Sequence, residues 1–500
     1  MQRDVFLLSV VLLYCIIFLM LHSHLKRINN PITQKFIAKQ QENDNTVKTT
    51  TAPTESGLVA EQGENVQQLQ QPFPKKINIL KQHQNKESFV IKRNYSEANI
   101  HLPQSIKPKL ENISDSKANC SKCKKLPYSG SFQNISGIFV LTTFYDQRIP
   151  SKHRIRILAV QDAKDNRKLV CWFKNGTYLV QSYATKYEMC ENHGRKFGGW
   201  IYSCLVPKGM ASIKVVYLSL YTNNILAPLT KMDLISLTKT GTKKLFGVCI
   251  PPLFGSVGMT KLVQFLELNR ILGASHFHFY LHNASSSVRV ILNHYAKLKL
   301  ATLFEWELPS VITNNNIWYH GQLLAIQDCL YRNMANFQFL LFSDLDEFVI
   351  PRKTYTWPRL VNYLKDLNKN HPSENTLGFS FKSAFFDPWQ TPDNSQQLSY
   401  LQRLYRSKSI SNVRTKVMIQ PDKVFELGIH HVSKPIFENL TITNIDPEIA
   451  MIHHYQPCMV RYEPKMQCSP KIRDATILKY TKQLQNNYNQ RVKELFKDFL

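Results

Sequence analysis

The chain is 500 residues long and carries 63 Lys and Arg against 36 Asp and Glu, a formal net charge of +27. The basic residues are dispersed and no run of five occurs, so the excess reads as a solvated basic surface rather than a nucleic-acid groove, and no nucleic-acid partner is expected. The length is ample for a buried core and for two domains beyond any tether.

Val5 to Leu21 is a run of seventeen residues without a charge, the lower limit for a membrane-spanning helix. It is too long for a typical cleaved signal core, and no small-residue cleavage site follows it. A span this short suits the thinner membranes of the early secretory pathway. The flanks disagree with a lumenal body. Arg3 precedes the span with Asp4 beside it, whereas Lys26, Arg27, Lys35 and Lys39 follow, and the positive-inside rule then puts the C-terminal bulk in the cytosol. Two signals outweigh that rule. Asn-X-Ser/Thr sequons begin at Asn94, Asn112, Asn119, Asn134, Asn175, Asn283 and Asn439, a density that fits a lumenal chain. Cys120, Cys123, Cys171, Cys190, Cys204, Cys249, Cys329, Cys458 and Cys468 lie beyond the span, and in an oxidising lumen most should pair, with at least one left over. The expectation is a cytosolic tail over 1–4, a signal-anchor over 5–21 and a lumenal remainder. Cys120-Ser-Lys-Cys123 lacks a second CxxC at zinc-finger spacing and lacks a flanking βαβ unit, so a structural disulfide is the expected role.

From residue 22 to about 135, Gln, Asn, Lys, Thr and Ser dominate and apolar periodicity is absent, which is the composition of a disordered stem. Residues 136–244 read as a β-rich module, with runs such as Ile155 to Val160, Leu169 to Phe173 and Ile213 to Leu218 between polar loops. The period then changes. Leu245 to Ile250 is a buried strand ending at Pro251 and Pro252, and Thr260 caps a helix whose apolar stripe includes Leu262, Phe265, Leu266 and Leu272. His276 to Leu281 is a strand, Val288 to Leu300 a helix, Ala301 to Trp306 a strand and Tyr319 to Met334 a helix. Strands and helices alternating at this spacing predict right-handed βαβ crossovers and an α/β domain over 245–475 with a mainly parallel sheet. A C-terminal helical tail over 476–500 closes the chain.

The fourth strand of that unit runs through Leu340 to Phe342 into Ser343-Asp-Leu-Asp-Glu347. Extended backbone would place Asp344 and Asp346 on one face, about 7 Å apart, with Leu345 on the other. Carboxylates aimed together at a strand end suit a divalent cation, Mg²⁺ or Mn²⁺, holding a diphosphate.

Five segments in order resemble glycosyltransferase family 92: Cys249-Ile-Pro-Pro-Leu-Phe-Gly255, the run Glu267 to Phe277, Gly321 to Leu330, Asp344-Leu-Asp-Glu-Phe348 and the His-rich strands downstream. Phe144-Tyr-Asp-Gln-Arg148, in the β-rich module, resembles the family as well. The resemblance implies a Golgi membrane enzyme with a GT-A, Rossmann-like nucleotide-sugar-binding domain. It further implies metal-dependent, inverting transfer of galactose from UDP-galactose to a glycan or glycoprotein acceptor. The same fold with another donor, or a non-catalytic lectin-like protein, are the alternative readings.

Under that reading Asp344 and Asp346 hold the metal against the diphosphate. A third ligand comes from His430-His431 or His453-His454, only one of each pair facing the site, and His454 fits the family pattern. Gln456 stands where a basic residue is usual in the family. Pro251 and Leu253 are placed to wall the uridine, with His282 or Asn283 to hydrogen-bond it, although Asn283 also begins a sequon. Gln322 and Asp328 are further donor-binding candidates. They lie six positions apart on one helix, about 240° around it, and cannot face the same partner. The base that takes the acceptor proton is Asp387, in Phe385-Phe-Asp-Pro-Trp389, or Glu347.

Overall fold

The computed structural model describes residues 131–210, 212–221, 228–237, 241–367, 375–458, 460 and 463–499. The expected membrane span, the stem up to residue 130, the sequons at Asn94, Asn112 and Asn119, and Cys120 and Cys123 lie outside the described residues. No helix among the described residues is long and apolar enough to cross a membrane.

The N-terminal module contains β1 (Gln133–Ile135), β2 (Ile138–Asp146), β3 (Arg154–Asp162), β4 (Leu169–Asn175), β5 (Tyr178–Tyr183), β6 (Thr185–Glu188), β7 (Phe197–Leu205), β8 (Val215–Leu220) and β9 (Thr230–Ser236). Their order is β5-β4-β8-β9-β2-β3-β7-β6, with β1 added to β2. Every residue of β2 is buried. Side chains alternate along a strand, so Ile138 and Val140 enter a core of the module's own with Ile155, Ile157 and Tyr202. Phe139 and Leu141 turn the other way, into a core shared with the domain that follows. The disulfide Cys171–Cys204 joins β4 to β7.

The second domain contains β10 (Lys244–Leu253), α1 (Met259–Leu272), β11 (His276–Leu281), α2 (Ser286–Lys297), β12 (Ala301–Glu305), α3 (Gln322–Asn333), β13 (Phe337–Phe342), β14 (Glu347–Pro351), α4 (Trp357–Leu367) and β15 (Thr376–Phe385). It continues through β16 (Tyr405–Arg406), β17 (Ser411–Ile419), β18 (Val424–Leu427), β19 (Val432–Pro435), β20 (Thr441–Asn444), β21 (Ala450–His454), β22 (Ile472–Arg473) and α5 (Thr481–Phe499). The main sheet runs β12-β11-β10-β13-β17-β15-β21-β14, with β20 added to β15.

This sheet is mixed, which corrects the expectation of a mainly parallel one. β12, β11, β10 and β13 are parallel to one another, because a helix returns the chain between each. β17 is antiparallel to β13 and to β15, and β14 is antiparallel to β21. After β13 a short turn, not a helix, carries the chain to β14 at the far edge. α1, α2 and α4 pack on one face of the sheet. α3 fills the other face, between the sheet and the N-terminal module, and Cys249–Cys329 ties it to β10. α1 starts after Gly258, with no side-chain cap, rather than at Thr260. α5 is no detached tail, since Leu484 and Tyr488 sit in the core with α1 and Arg491 Nε donates to Glu267 Oε1 at 3.0 Å.

Candidate active site

β13 ends at Phe342 and β14 begins at Glu347, so Asp344, Leu345 and Asp346 form the turn between two strands rather than the end of one. The strand alternation expected for the pair is corrected accordingly. The turn is closed by Glu347 N, which donates to Asp344 O at 3.3 Å, and by Ser343 Oγ, which donates to Glu347 O at 3.0 Å. Both aspartate side chains remain partly open to solvent, at 38% and 40% exposure. Leu345 is half-buried against the core, and its carbonyl accepts from the Tyr400 hydroxyl at 3.0 Å.

Strand register supplies the rest of the site. Glu347 pairs with His454 across β14 and β21, and His454 pairs in turn with Phe385 of β15. His454 Nε2 lies 3.7 Å from Asp346 Oδ2, and His454 Nδ1 lies 3.4 Å from Glu347 Oε1. Its neighbour His453 points to the opposite face, fully buried and stacked on Phe386 with ring centres 4.3 Å apart. Alternation therefore selects His454 from this pair. His430 Nδ1 donates to Thr415 O at 2.9 Å, whereas His431 is exposed beside Ser433.

A residue not foreseen from the sequence, Lys416 of β17, enters from below. Its ammonium lies 3.0 Å from Asp344 Oδ2 and 3.2 Å from Glu347 Oε2. Burial would lower the Lys416 pKa, but Asp344 and Glu347 outweigh it and hold it above the ordinary lysine range. Burial would likewise raise Asp344, and Lys416 reverses that, keeping it low. Asp346 has no such partner. Burial, then Glu347 and Asp344, push its carboxyl up to about 7. Burial, then Lys416, push His454 down to about 3, so its imidazole is neutral.

Two carboxyl groups thus face one ammonium, and a third, Asp346, stands beside a neutral imidazole. Glu347 Oε1 is buried without a hydrogen bond. That donor set fits a hard or borderline divalent cation, for which carboxylate oxygens and a neutral ring nitrogen are suitable ligands. As the side chains stand, no three His, Cys, Asp or Glu groups among the described residues already converge on one point.

The donor candidates distribute unevenly. Pro251 is partly exposed at the end of β10, but Leu253 is buried in the core and contributes its carbonyl, which accepts from His282 N at 3.0 Å. His282 Nδ1 donates to Trp306 O at 3.0 Å, and His282 and the exposed Asn283 line a cleft of about 560 Å³ with Arg289, Glu305 and His320. Gln322 is buried at the start of α3. Asp328 is corrected as a donor ligand. Its carboxylate accepts from Thr142 Oγ1 at 2.7 Å, the Tyr280 hydroxyl at 2.8 Å and Arg332 Nε at 2.6 Å, which fastens α3 to the N-terminal module.

Of the two base candidates, Glu347 is 1% exposed and its Oε2 already accepts from Asp344 N at 3.1 Å. Asp387 follows β15 at the edge where Phe385 neighbours His454; its side chain is 24% exposed, with Lys471 Nζ 3.9 Å away. Trp389, whose backbone N–H donates to Asp387 Oδ1 at 3.0 Å, is 82% exposed. The sequons at Asn134, Asn175, Asn283 and Asn439 are all at exposed asparagines.

The β-1,4-galactosyltransferase galt-1 of Caenorhabditis elegans is 26% identical over 54% of this chain and 63% of its own length. A second C. elegans protein, of glycosyltransferase family 92, is 26% identical over 50% of each chain. The galactan β-1,4-galactosyltransferase GALS3 of Arabidopsis thaliana is 22% identical over 47% of this chain and 46% of its own. The chain therefore spans between roughly half and two thirds of the length of these relatives. The model of glycosyltransferase family 92 matches residues 244–488, the stretch that carries the Asp-Leu-Asp turn, His454 and the ring-lined cleft, and through it the chain belongs to glycosyltransferase family 92.

Proposed function

We propose that this glycosyltransferase moves galactose from UDP-galactose to a glycan hydroxyl with inversion at the anomeric carbon. The observation that carries the reading is the register of β14 on β21, which sets His454 beside Asp346 at the edge of a family 92 domain. The galactosyltransferase names of the relatives support galactose as the sugar. Asp344, Asp346 and His454 would hold Mn²⁺ or Mg²⁺, which when bound supplies Lewis acidity toward the departing diphosphate. Lys416 is committed to Asp344 and Glu347 and holds the turn in place. Asp387 takes the acceptor hydroxyl's proton as that oxygen bonds to the anomeric carbon and UDP leaves from the opposite side. The exposed face of Trp389 suits the apolar face of an acceptor sugar.

The test is a panel of nucleotide-sugars offered to the full-length protein with mixed glycan acceptors and Mn²⁺. Consumption of UDP-galactose with a β-linked product is expected. Consumption of a different donor would move the reading to the same fold with another sugar, and no consumption at all would leave a non-catalytic binding protein. A Golgi membrane location with the catalytic domain lumenal belongs to the same proposal. Treatment with an N-glycosidase should then shift the protein by several glycans, and an unshifted protein would reverse that topology.

A further inference from the structure

Three consecutive residues before α3 lie in the left-handed region: Tyr319 at φ 44°, His320 at φ 57° and Gly321 at φ 74°. Glycine accepts this conformation, but two successive side-chain-bearing residues there store backbone strain that surrounding contacts must hold. Those contacts are present. Trp306 Nε1 donates to His320 O at 2.8 Å, His320 N donates to Asn314 Oδ1 at 3.1 Å, and Gly321 N donates to Trp318 O at 2.9 Å. A Cβ added to Gly321 would meet Leu308 at 3.3 Å and Trp306 at 3.5 Å, so the segment is also packed closely from beneath.

The strain is not repaid by burying Tyr319, which is 50% exposed. What the turn achieves is placement. The His320 ring lies 4.3 Å from that of Phe254 and 4.6 Å from that of His282, completing a row of three rings beside the cleft. Tyr319 packs edge-on to Phe254 at 4.9 Å, and its hydroxyl lies within electrostatic reach of Asp344 and Asp346. One strained turn thus carries a ring beside the cleft and a hydroxyl within reach of the aspartates' charge.

We propose that Tyr319 and His320 are the donor-gripping pair of this enzyme, His320 completing the ring wall on which the nucleobase stacks and Tyr319 offering its hydroxyl to the diphosphate-hexose half. Neither residue belongs to the set read from the sequence. The inference rests on the proposed use of a nucleotide-sugar, and the closing experiment separates the two.

Affinities of the full-length protein for UMP and for UDP-galactose are measured by calorimetry in Mn²⁺, for the wild type, Tyr319→Phe and His320→Gly. Tyr319→Phe should leave UMP affinity within about twofold and weaken UDP-galactose about tenfold, the effect of one lost hydrogen bond. His320→Gly should weaken both ligands about tenfold while the melting temperature holds or rises, because glycine adopts the left-handed backbone without strain. The retained melting temperature distinguishes a lost contact from a misfolded protein. A wild type that binds UDP-galactose, with both variants binding equally well, would overturn this inference alone. Equal weakening of UMP and UDP-galactose by Tyr319→Phe would overturn the division between base and sugar halves. A wild type that binds neither ligand would overturn the proposed function along with it.

Discussion

Glu347 faces His454 across the antiparallel ladder of β14 and β21, and the two side chains meet at 3.4 Å. A single strand pairing thereby joins the Asp-Leu-Asp turn to a histidine far along the chain. It also explains why Glu347 is poorly placed to be a base. Its carboxylate is buried beneath the turn, committed to Lys416 and to the backbone of Asp344, and orients the groups above it.

Asp346→Asn should reduce transfer roughly a hundredfold or more while leaving the fold intact, the loss expected when a transition-state contact is removed. The Asp346 side chain is 40% exposed and fills no core space. Leu345→Ala should do the reverse. Leu345 is half-buried against the core, so about 1–2 kcal/mol of stability should go, less than for a fully buried leucine, with activity retained. Turnover and denaturation measured on both variants check the pair, and full activity of Asp346→Asn in EDTA would remove the metal from the proposal.

Lys416→Met should destabilise the protein by about 3 kcal/mol, because it leaves the fully buried Glu347 without its counter-charge. The partial exposure of Asp344 keeps the loss near the lower end of the range for broken buried pairs. If a divalent cation occupies the site, Mn²⁺ should restore more stability to the variant than to the wild type. Chemical denaturation with and without Mn²⁺ measures this, and an equal response in both proteins would argue against ion binding at Asp344.

The sequence carried the site's chemistry further than its geometry. Asp344 and Asp346 stood out because two carboxylates after an apolar run are a local signal, although the strand alternation expected of them does not hold, and His454 was singled out by the family pattern; the alternation of strands and helices through β13 was legible because periodicity is local. Strand direction beyond β13 was not, since it depends on which distant segment each strand pairs with. Lys416 lies two places after the partly exposed Arg414 and directly before the buried Val417, and a lone lysine in such a strand reads as solvated. The left-handed turn at Tyr319 and His320 was hidden because only Gly321 signals it, and the apolar pattern alone extends the helix back to Tyr319. Asp328 misled because a carboxylate on a helix before the Asp-Leu-Asp segment looks available, whereas the N-terminal module consumes it through Thr142.

Phe144-Tyr-Asp-Gln-Arg148 acquires a physical role in the structure. Asp146 lies 2.9 Å from Arg148 Nε and 2.8 Å from Arg156 Nε, and Arg148 Nη1 donates to Val424 O at 2.6 Å, so the cluster fastens the module to the family 92 domain. Burial would raise the Asp146 carboxyl, but Arg148 and Arg156 outweigh it and hold it well below the ordinary carboxylate range. A carboxyl depressed on folding stabilises the protein above its unfolded pKa of about 3.9, and that contribution is lost as pH falls from about 5 through the folded value. Urea denaturation should therefore show stability falling between about pH 5 and 3, with a shallower fall in Asp146→Asn. At neutral pH that variant should be weaker by about 3–5 kcal/mol, because two buried guanidiniums lose their partner. An identical acid limb in both proteins would contradict the assignment.

Asp387→Asn should lower turnover about 10²- to 10⁴-fold, the usual worth of a general base, while UDP affinity stays unchanged. The geometry behind this is specific. β15 delivers Asp387 to the sheet edge shared with His454, its side chain is 24% exposed, and Lys471 Nζ at 3.9 Å does not occupy it in a tight pair. Trp389→Ala separates positioning from chemistry, since an 82% exposed ring that stacks on the acceptor should raise the acceptor KM without changing the donor KM. Inversion needs one displacement and one base, so the β-linked product and the loss in Asp387→Asn should appear together. Robust transfer by Asp387→Asn would remove that residue as the base, and an α-linked product from the wild type would exclude the inverting displacement itself.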